Sequence, residues 1–210
     1  MSSTPSTAGH GAPHVHRDYQ GAKIGMWLFL FTEVLLFAGL FLAFLVYRST
    51  HLEAFHHAAQ ALNVTLGGTN TVVLLTSSLT MVLSITAIQK GEKRASLFFL
   101  GVTILCAVIF TCIKYVEWSA KIHHGIYPGS PHLAEMPRGE VLFYGLYYTM
   151  TGLHALHVFI GAGTLIGMIP LISNGNINKG DFIKLENAGL YWHLVDLIWI
   201  YLFPLLYLVK

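Results

Sequence analysis

The sequence predicts an all-α fold, a polytopic membrane helical bundle with five transmembrane helices. The chain is 54% hydrophobic and only 10% charged, whereas a soluble domain carries about 25% charged residues. Its apolar segments reach about 20 residues, the length that crosses a bilayer as a helix. None of them alternates polar and apolar residues as the strands of a membrane barrel do. Five such segments with short loops account for 210 residues and leave no room for a separate soluble domain.

The five apolar segments differ in length and in internal pattern. They lie at residues 24–47, 70–88, 95–116, 141–171 and 190–209. The fourth is the longest, about 46 Å as a helix, so we expect it to tilt or to protrude, with a kink or stop at Pro170. Hydroxyl residues fill the second segment, and Gly163-x-x-x-Gly167 lies in the fourth. Both features favour closely packed helices with polar seams.

Outside these segments the sequence predicts a tail and one long loop. Residues 1–23 are rich in Ser, Thr, Gly, Pro and His, which predicts a flexible polar N-terminal tail before the five-helix domain at residues 24–210. No cleavage pattern follows a short apolar run, so the tail is not interpreted as a secretory signal. Residues 117–140 form the longest loop, and we expect order there only where it packs on the bundle or on a partner.

The distribution of basic residues predicts the orientation of the chain. The tail and the second and fourth loops carry seven Lys or Arg residues, against four on the opposite side. The excess of positive charge marks the cytoplasmic side. We therefore expect the N-terminus in the cytoplasm and the C-terminus outside. The net charge of +2 is spread over the ends of the spans and forms no basic face that would bind nucleic acid.

Five polar residues lie within the apolar segments and are candidates for a functional site. They are Glu33, His154, His157, His193 and Asp196. An ionisable side chain in lipid costs about 2.5–3.5 kcal/mol on insertion scales and rarely lacks a partner or a role. Helical rise places Glu33 about 14 Å into its span, and it could meet His157, His193 and Asp196 in the inner half of the bundle. The group would then form a lipid-headgroup or proton-exchanging site.

A structural role is the alternative for the same residues. Interhelical hydrogen bonds are worth about 0.6–2 kcal/mol each in membranes, and this interpretation is favoured for the three histidines. The functional one is favoured for Glu33, because an isolated carboxylate in a membrane is the default functional candidate. Lys114 and Glu117 end the third span near the outer surface, where an intrahelical ion pair beside the interfacial Trp118 is the simplest expectation.

The sequence disfavours a metal or haem centre. Histidines outside the spans are divided between the two sides of the membrane, which argues against one metal cluster. A bis-histidine haem would need ligands that face each other at matching depth, and only His157 and His193 approach this arrangement. Cys106 and Cys112 point to different faces of one helix, so neither a disulfide nor a zinc site is expected. A small transporter would show inverted repeats, and none is visible.

The sequence resembles subunit III of the haem-copper terminal oxidases, the group of cytochrome c and quinol oxidases. The resemblance covers all five spans in order. Its strongest parts are Thr-Gly-Leu-His-Ala-Leu-His-Val at residues 151–158 and Tyr-Trp-His-Leu-Val-Asp at residues 191–196. Weaker parts are residues 32–37, 70–71 and 74–78, and Glu117 with the aromatic that follows it. The family usually has glycine where this chain has Ala155. Long members have seven helices, so this chain resembles the five-helix form, in which the lipid-filled cleft of long members would need a partner subunit.

The resemblance implies an accessory subunit of an enzyme that reduces oxygen to water and pumps protons. It implies that this chain has no catalytic centre and binds no cofactor, with haem and copper in partner subunits. It also implies a bacterial inner-membrane location, main contact with subunit I, further contact with subunit II and a small subunit IV, and bound structural phospholipids. Glu33 matches the family's membrane-embedded glutamate. The alternatives are an accessory subunit of a nitric oxide reductase or of a quinol-oxidising terminal oxidase.

Overall fold

The computed structural model describes residues 19–208 and is built from helices. The elements in chain order are α1 (Tyr19–Thr50), α2 (Leu52–Gln60), α3 (Val64–Lys90), α4 (Lys93–His123), α5 (Pro131–Ala134), α6 (Arg138–Ser173) and α7 (Ile183–Phe203), which continues as a π-helical turn (Pro204–Leu208). Five of these helices are long and apolar enough to cross a membrane. The predicted all-α membrane bundle with five spans is therefore confirmed.

The helices extend beyond the predicted spans at nearly every end. α1 begins at Tyr19, so the last five residues of the predicted tail are helical, and the rest of that tail lies outside the described residues. α4 continues to His123 and shortens the predicted long loop, which contains α5. α6 runs three residues past Pro170, so the proline lies in the last turn and does not stop the helix at once.

The short helix α2 was not predicted, because its nine residues are too few to cross a membrane and four of them are Glu, His or Gln. Phe55, Ala58 and Ala59 are buried, whereas Glu53 and His57 face outward. Phe55 packs edge-on against Phe143 of α6, with ring centroids 5.4 Å apart. α2 therefore covers one end of the bundle, which we call the α2 end.

Local sequence signals define the two ends of α3. Asn63 caps its first turn, where the side-chain oxygen accepts hydrogen bonds from the backbone N–H groups of Thr65 and Leu66 at 3.0 and 3.2 Å. This is the favoured chemistry of an N-cap. Gly91 ends the helix with φ of +85°, a left-handed conformation that glycine adopts without strain. The resulting tight turn makes α3 and α4 antiparallel neighbours, and we call this side of the bundle the Gly91 end.

Four long helices, α3, α4, α6 and α7, enclose the core, and α1 packs outside them against α6 and α7. Hydroxyl groups join α3 to α4, as the composition of the second span predicts. Thr80 bonds Thr103 at 2.8 Å, and Ser84 bonds Ser96 at 3.0 Å. Such bonds are the usual polar adhesive between membrane helices.

The close helix approach expected at Gly163 and Gly167 is not found within the described chain. A Cβ at either position would meet no atom within 4 Å, because both glycines are on the outward face of α6. The close approach occurs instead at Gly161, where a Cβ would come within 2.9 Å of the Trp192 ring. The spacing of the motif does not reveal which helix face meets a neighbour, so it did not predict the approach at Gly161.

Candidate functional site

Glu33 and His157 form a buried polar contact between α1 and α6. The Glu33 Oε2 atom lies 2.8 Å from His157 Nε2, and the two side chains are 17% and 9% exposed. Glu33 is about 21 Å along α1 at helical rise, close to the middle of this 32-residue helix. The structure therefore brings together two of the residues that the sequence predicted, at the predicted depth.

The hydrogen bonds of His157 determine how many protons the pair holds. Its Nδ1 atom lies 2.7 Å from the Leu153 carbonyl oxygen, which can only accept, so Nδ1 carries a hydrogen. One further proton is needed between Nε2 and the Glu33 oxygen. The pair is thus either imidazolium with carboxylate or imidazole with carboxylic acid. Phe37 packs edge-on against the ring of His157 at 5.3 Å and limits access of water to it.

His193 and Asp196 do not share this contact, so the predicted group of four residues is divided. Both point to α3 instead. His193 Nδ1 lies 2.7 Å from the Ser78 hydroxyl, and Asp196 Oδ2 lies 3.4 Å from Ser77 Oγ. The prediction that four ionisable groups meet at one place was wrong, because it used depth and could not assign helix faces. The structure instead forms two separate polar contacts, one between α1 and α6 and one between α7 and α3.

Ser77 is the centre of the second contact. Its hydroxyl donates to the Leu74 carbonyl oxygen at 2.7 Å and accepts from the Trp192 indole N–H at 3.0 Å. Trp192 and Asp196 belong to α7, so this serine joins two helices at a fully buried position. A small hydroxyl residue is needed here, since the bulky indole fills the adjacent space.

His154 has a different environment from its neighbour in sequence. It is fully buried and lies between the rings of Phe110 and Trp199, with ring centroids 5.5 and 5.2 Å away. Within the described residues neither ring nitrogen has a hydrogen-bond partner. The interhelical hydrogen bond expected for His154 is therefore not made by any described protein group.

The predicted ion pair of Lys114 and Glu117 exists, but its position was wrong. The Nζ and Oε2 atoms are 2.8 Å apart, and the side chains are only 5% and 4% exposed. The pair was placed at the outer surface, whereas α4 continues for another turn and a half beyond it. Lys114 and Glu117 instead lie inside the bundle, toward the α2 end.

Two tyrosines that the sequence did not single out complete this cluster. Glu117 Oε1 accepts hydrogen bonds from the hydroxyls of Tyr147 and Tyr207 at 3.0 and 2.6 Å. Tyr207 comes from the π-helical turn at the end of α7, and such turns are rare and often occur at functional sites. Its hydroxyl also accepts from Lys114 at 2.9 Å. Every charged atom of the pair is therefore satisfied, the condition under which buried charge is tolerated.

Lys121 adds a second ammonium group to the cluster. Its Nζ atom lies 3.4 Å from the Ala61 carbonyl oxygen and 5.9 and 5.6 Å from the ring centroids of Tyr144 and Tyr147. Attraction to the faces of the two rings stabilises a desolvated cation. Positions 114, 117 and 121 recur on one helix face, and this spacing inside an apolar helix is the signal that could have indicated a buried cluster.

The described residues do not present a ligand set for haem or a metal ion. Between residues 19 and 208 no three His, Cys, Asp or Glu side chains gather as a metal site. His157, one half of the considered haem pair, uses both ring nitrogens for Leu153 and Glu33. His193, the other half, already uses Nδ1 for Ser78. These hydrogen bonds do not fit axial ligation by the pair. His10, His14 and His16 lie outside the described residues.

Comparison with known proteins identifies the family. The family model described as "Cytochrome c oxidase subunit III" matches residues 3–210. The chain is 31% identical to cytochrome c oxidase subunit 3 of Synechocystis sp., over 97% of this chain and 83% of the relative. It is 27% identical to the cytochrome bo(3) ubiquinol oxidase subunit 3 of Pseudomonas aeruginosa, over 96% and 91%. It is also 27% identical to the heme-copper oxidase subunit I+III of Aeropyrum pernix, over 89% and 22%. The chain therefore belongs to the cytochrome c oxidase subunit III family and is an accessory subunit III of a haem-copper oxidase.

Proposed function

We propose that this chain braces subunit I of an oxygen-reducing, proton-pumping oxidase and supports proton uptake there without carrying a cofactor. Haem and copper belong to the partner subunits in this proposal, and subunit II and a small subunit IV complete the complex. The name of the Aeropyrum pernix relative joins subunits I and III in one protein, which supports subunit I as the main contact. The excess of basic residues at the Gly91 end supports a bacterial inner-membrane protein with a cytoplasmic N-terminus.

The outward face of α1 suits a lipid or a neighbouring subunit. Trp27, Leu28 and Leu42 are 61%, 64% and 64% exposed in the isolated chain, and only 17% of the most apolar stretch of α1 is buried. An apolar face of this extent belongs in hydrocarbon or against another membrane helix. We propose that structural phospholipids and subunit I share it.

The contact between Glu33 and His157 carries this proposal. It is a polar contact in the middle of α1, where the buried side chains on either side of it, Leu30 and Phe37, are apolar. Breaking it would leave an ionisable group facing lipid, at a cost of about 2.5–3.5 kcal/mol. The pair therefore opposes separation of α1 from the bundle near mid-membrane. It also holds one proton between two heavy atoms, so it can retain that proton beside the lipid and partner surface.

This role needs no chemistry on a substrate. α1 is also joined to α7 by the Lys23–Glu186 ion pair at 3.2 Å and by a hydrogen bond of 3.5 Å from the Asn187 amide to the Ala22 carbonyl oxygen. That second pair lies at the Gly91 end, so the two pairs fix α1 at two depths. We propose that this fixed position keeps the surface of subunit I and its lipids intact during repeated turnover.

A Glu33→Gln variant of the intact oxidase tests the proposal. Glutamine keeps the size of the side chain and can still bond His157, but it cannot take a charge or exchange the proton. We expect fewer turnovers before inactivation, measured by oxygen consumption, together with a lower ratio of protons pumped per electron. Glu53→Gln is the matched control, since Glu53 is exposed on α2 and takes no part in the Glu33–His157 contact or the Lys23–Glu186 pair. An unchanged turnover lifetime and pumping ratio in Glu33→Gln would show that Glu33 contributes only to packing.

The electron donor has two candidates, cytochrome c and quinol. The similarity to a ubiquinol oxidase subunit covers 96% of this chain, which supports quinol as the second candidate. The purified complex distinguishes them by oxygen consumption with reduced cytochrome c or with a quinol. The account of Glu33 applies to either enzyme, because the donor would bind to other subunits.

A further inference from the structure

The centre of the four-helix core contains two fully buried side chains whose polar atoms lack protein partners. Asn70 of α3 and His154 of α6 are both 0% exposed. The amide nitrogen and oxygen of Asn70 and both ring nitrogens of His154 make no hydrogen bond to any described residue. Buried polar groups without partners are rare, and each one calls for an explanation.

The contacts of neighbouring residues place Asn70 and His154 in the same layer of the bundle. The side chain next to Asn70, Thr71, accepts a hydrogen bond from the Trp199 indole N–H at 3.1 Å. His154 packs on the Trp199 ring at 5.2 Å. One tryptophan of α7 therefore contacts both His154 on α6 and, on α3, the residue adjacent to Asn70.

The register of α3 against α4 gives the same layer independently. Thr80 pairs with Thr103, and these helices are antiparallel. Asn70 lies ten residues before Thr80 on α3, and position 113 lies ten residues after Thr103 on α4. Asn70 is therefore level with positions 110 to 114 of α4. Phe110 packs on His154 at 5.5 Å, and Lys114 lies over the Trp199 ring at 5.1 Å. Four helices thus contribute polar or aromatic groups to a single layer.

The hydrogen-bonding needs of the two side chains define the occupant. The Asn70 amide requires a donor for its oxygen and an acceptor for its nitrogen, and neutral His154 requires one of each as well. A monoatomic ion supplies only one kind of interaction, and an acyl chain supplies neither. Water supplies both, and buried waters commonly make about three hydrogen bonds to groups of this kind.

We propose that buried water molecules occupy the centre of the bundle and bridge Asn70 to His154. The bridge joins α3 to α6, two helices that face each other across the core. It is a ligand site separate from the Glu33–His157 contact, and the proposed role in turnover does not depend on it.

The same water site extends toward Asp196. That residue lies one turn before Trp199 on the same face of α7, and its Oδ1 atom also lacks a partner among the described residues. Ser77 Oγ is 3.4 Å from the other carboxyl oxygen. Five of the partnerless buried atoms therefore fall within about two helical turns, between Asp196 and the layer of Lys114. A short chain of waters along this line satisfies all of them.

High-resolution electron cryomicroscopy of the intact oxidase tests the proposal directly. We expect solvent density at about 2.7–3.2 Å from at least one polar atom of Asn70 and one ring nitrogen of His154. The Asn70→Leu variant should lose the density next to position 70. A map without solvent there, in which both side chains bond protein groups instead, would overturn the inference. The wild-type map alone is decisive if the variant fails to assemble.

A double-variant cycle provides a second measurement. Asn70→Leu and His154→Leu each leave a water and one polar side chain without a partner, so each single change should lower the thermal midpoint. The double variant has neither polar side chain, so no unpartnered group remains at the site. Its thermal midpoint should therefore fall by less than the sum of the two single shifts. Thr80→Val combined with Asn70→Leu is the control, because Thr80 is ten residues away along α3, and these shifts should add. Additive shifts in the Asn70–His154 cycle would contradict a shared water bridge.

Discussion

Removal of the buried carboxylate of Glu117 should destabilise this subunit more than loss of any exposed charge. In Glu117→Ala, the Lys114 ammonium loses its counterion 2.8 Å away, and the Tyr147 and Tyr207 hydroxyls lose their acceptor. Removing one partner of a buried ion pair costs about 3–5 kcal/mol. At about 2–4 °C per kcal/mol for a chain of this size, the thermal midpoint should fall by about 6–20 °C.

The assay is thermal release of this chain from the purified oxidase, followed by size-exclusion chromatography after a temperature series. Glu186→Ala is the matched control, because it removes a carboxylate from the pair with Lys23, whose side chains are 48% and 32% exposed. An exposed pair of this kind is worth about 0–1 kcal/mol. The control should therefore release within about 4 °C of the wild type.

A second variant separates loss of charge balance from loss of packing. In Lys114→Met/Glu117→Leu both charges are replaced by apolar groups of similar length, which is often neutral for buried pairs. The double variant should recover part of the midpoint lost in Glu117→Ala, because the uncompensated ammonium is removed while the Tyr147 and Tyr207 hydroxyls still lack their acceptor. If Glu117→Ala behaves like the Glu186→Ala control, or if the double variant is as unstable as Glu117→Ala, the reasoning about an uncompensated buried charge is refuted.

Two further predictions concern packing and orientation. Gly161→Ala places a methyl group 2.9 Å from the Trp192 ring and should cost about 1–3 kcal/mol by overpacking. Gly163→Ala meets open space and should be neutral or slightly stabilising. Equal thermal midpoints for the two variants would contradict the assigned helix faces. Reporter fusions should place the Gly91 turn in the cytoplasm and Ser130 outside, as the distribution of basic residues predicts. The reverse pattern would overturn the predicted membrane orientation.

Composition and segment length were sufficient to predict the five spans, because a membrane helix needs a long apolar sequence. They were insufficient for the helix ends, since helical hydrogen bonding continues into the polar interface at residues such as Tyr19 and His123. They also did not predict α2, whose nine residues gain their stability by covering Phe143 and its neighbours. Packing of this kind depends on contacts between distant segments.

The candidate site was predicted in part. Depth along the helices correctly brought Glu33 to His157, but it also grouped His193 and Asp196 with them. The sequence does not state which helix lies on either side of α7, and this decides whether His193 bonds Ser78 or a residue of α1. Lys114 and Glu117 were predicted as a pair, but their burial depends on Tyr207, 90 residues away in sequence.

Affinity purification of the tagged chain in mild detergent, with an optical spectrum and identification of the co-purified subunits, tests the central claim most directly. The account predicts that a haem- and copper-containing subunit I elutes with the chain, and that the chain is colourless once separated from it. A separated chain that retains a haem spectrum or bound iron would contradict an accessory subunit without its own redox centre.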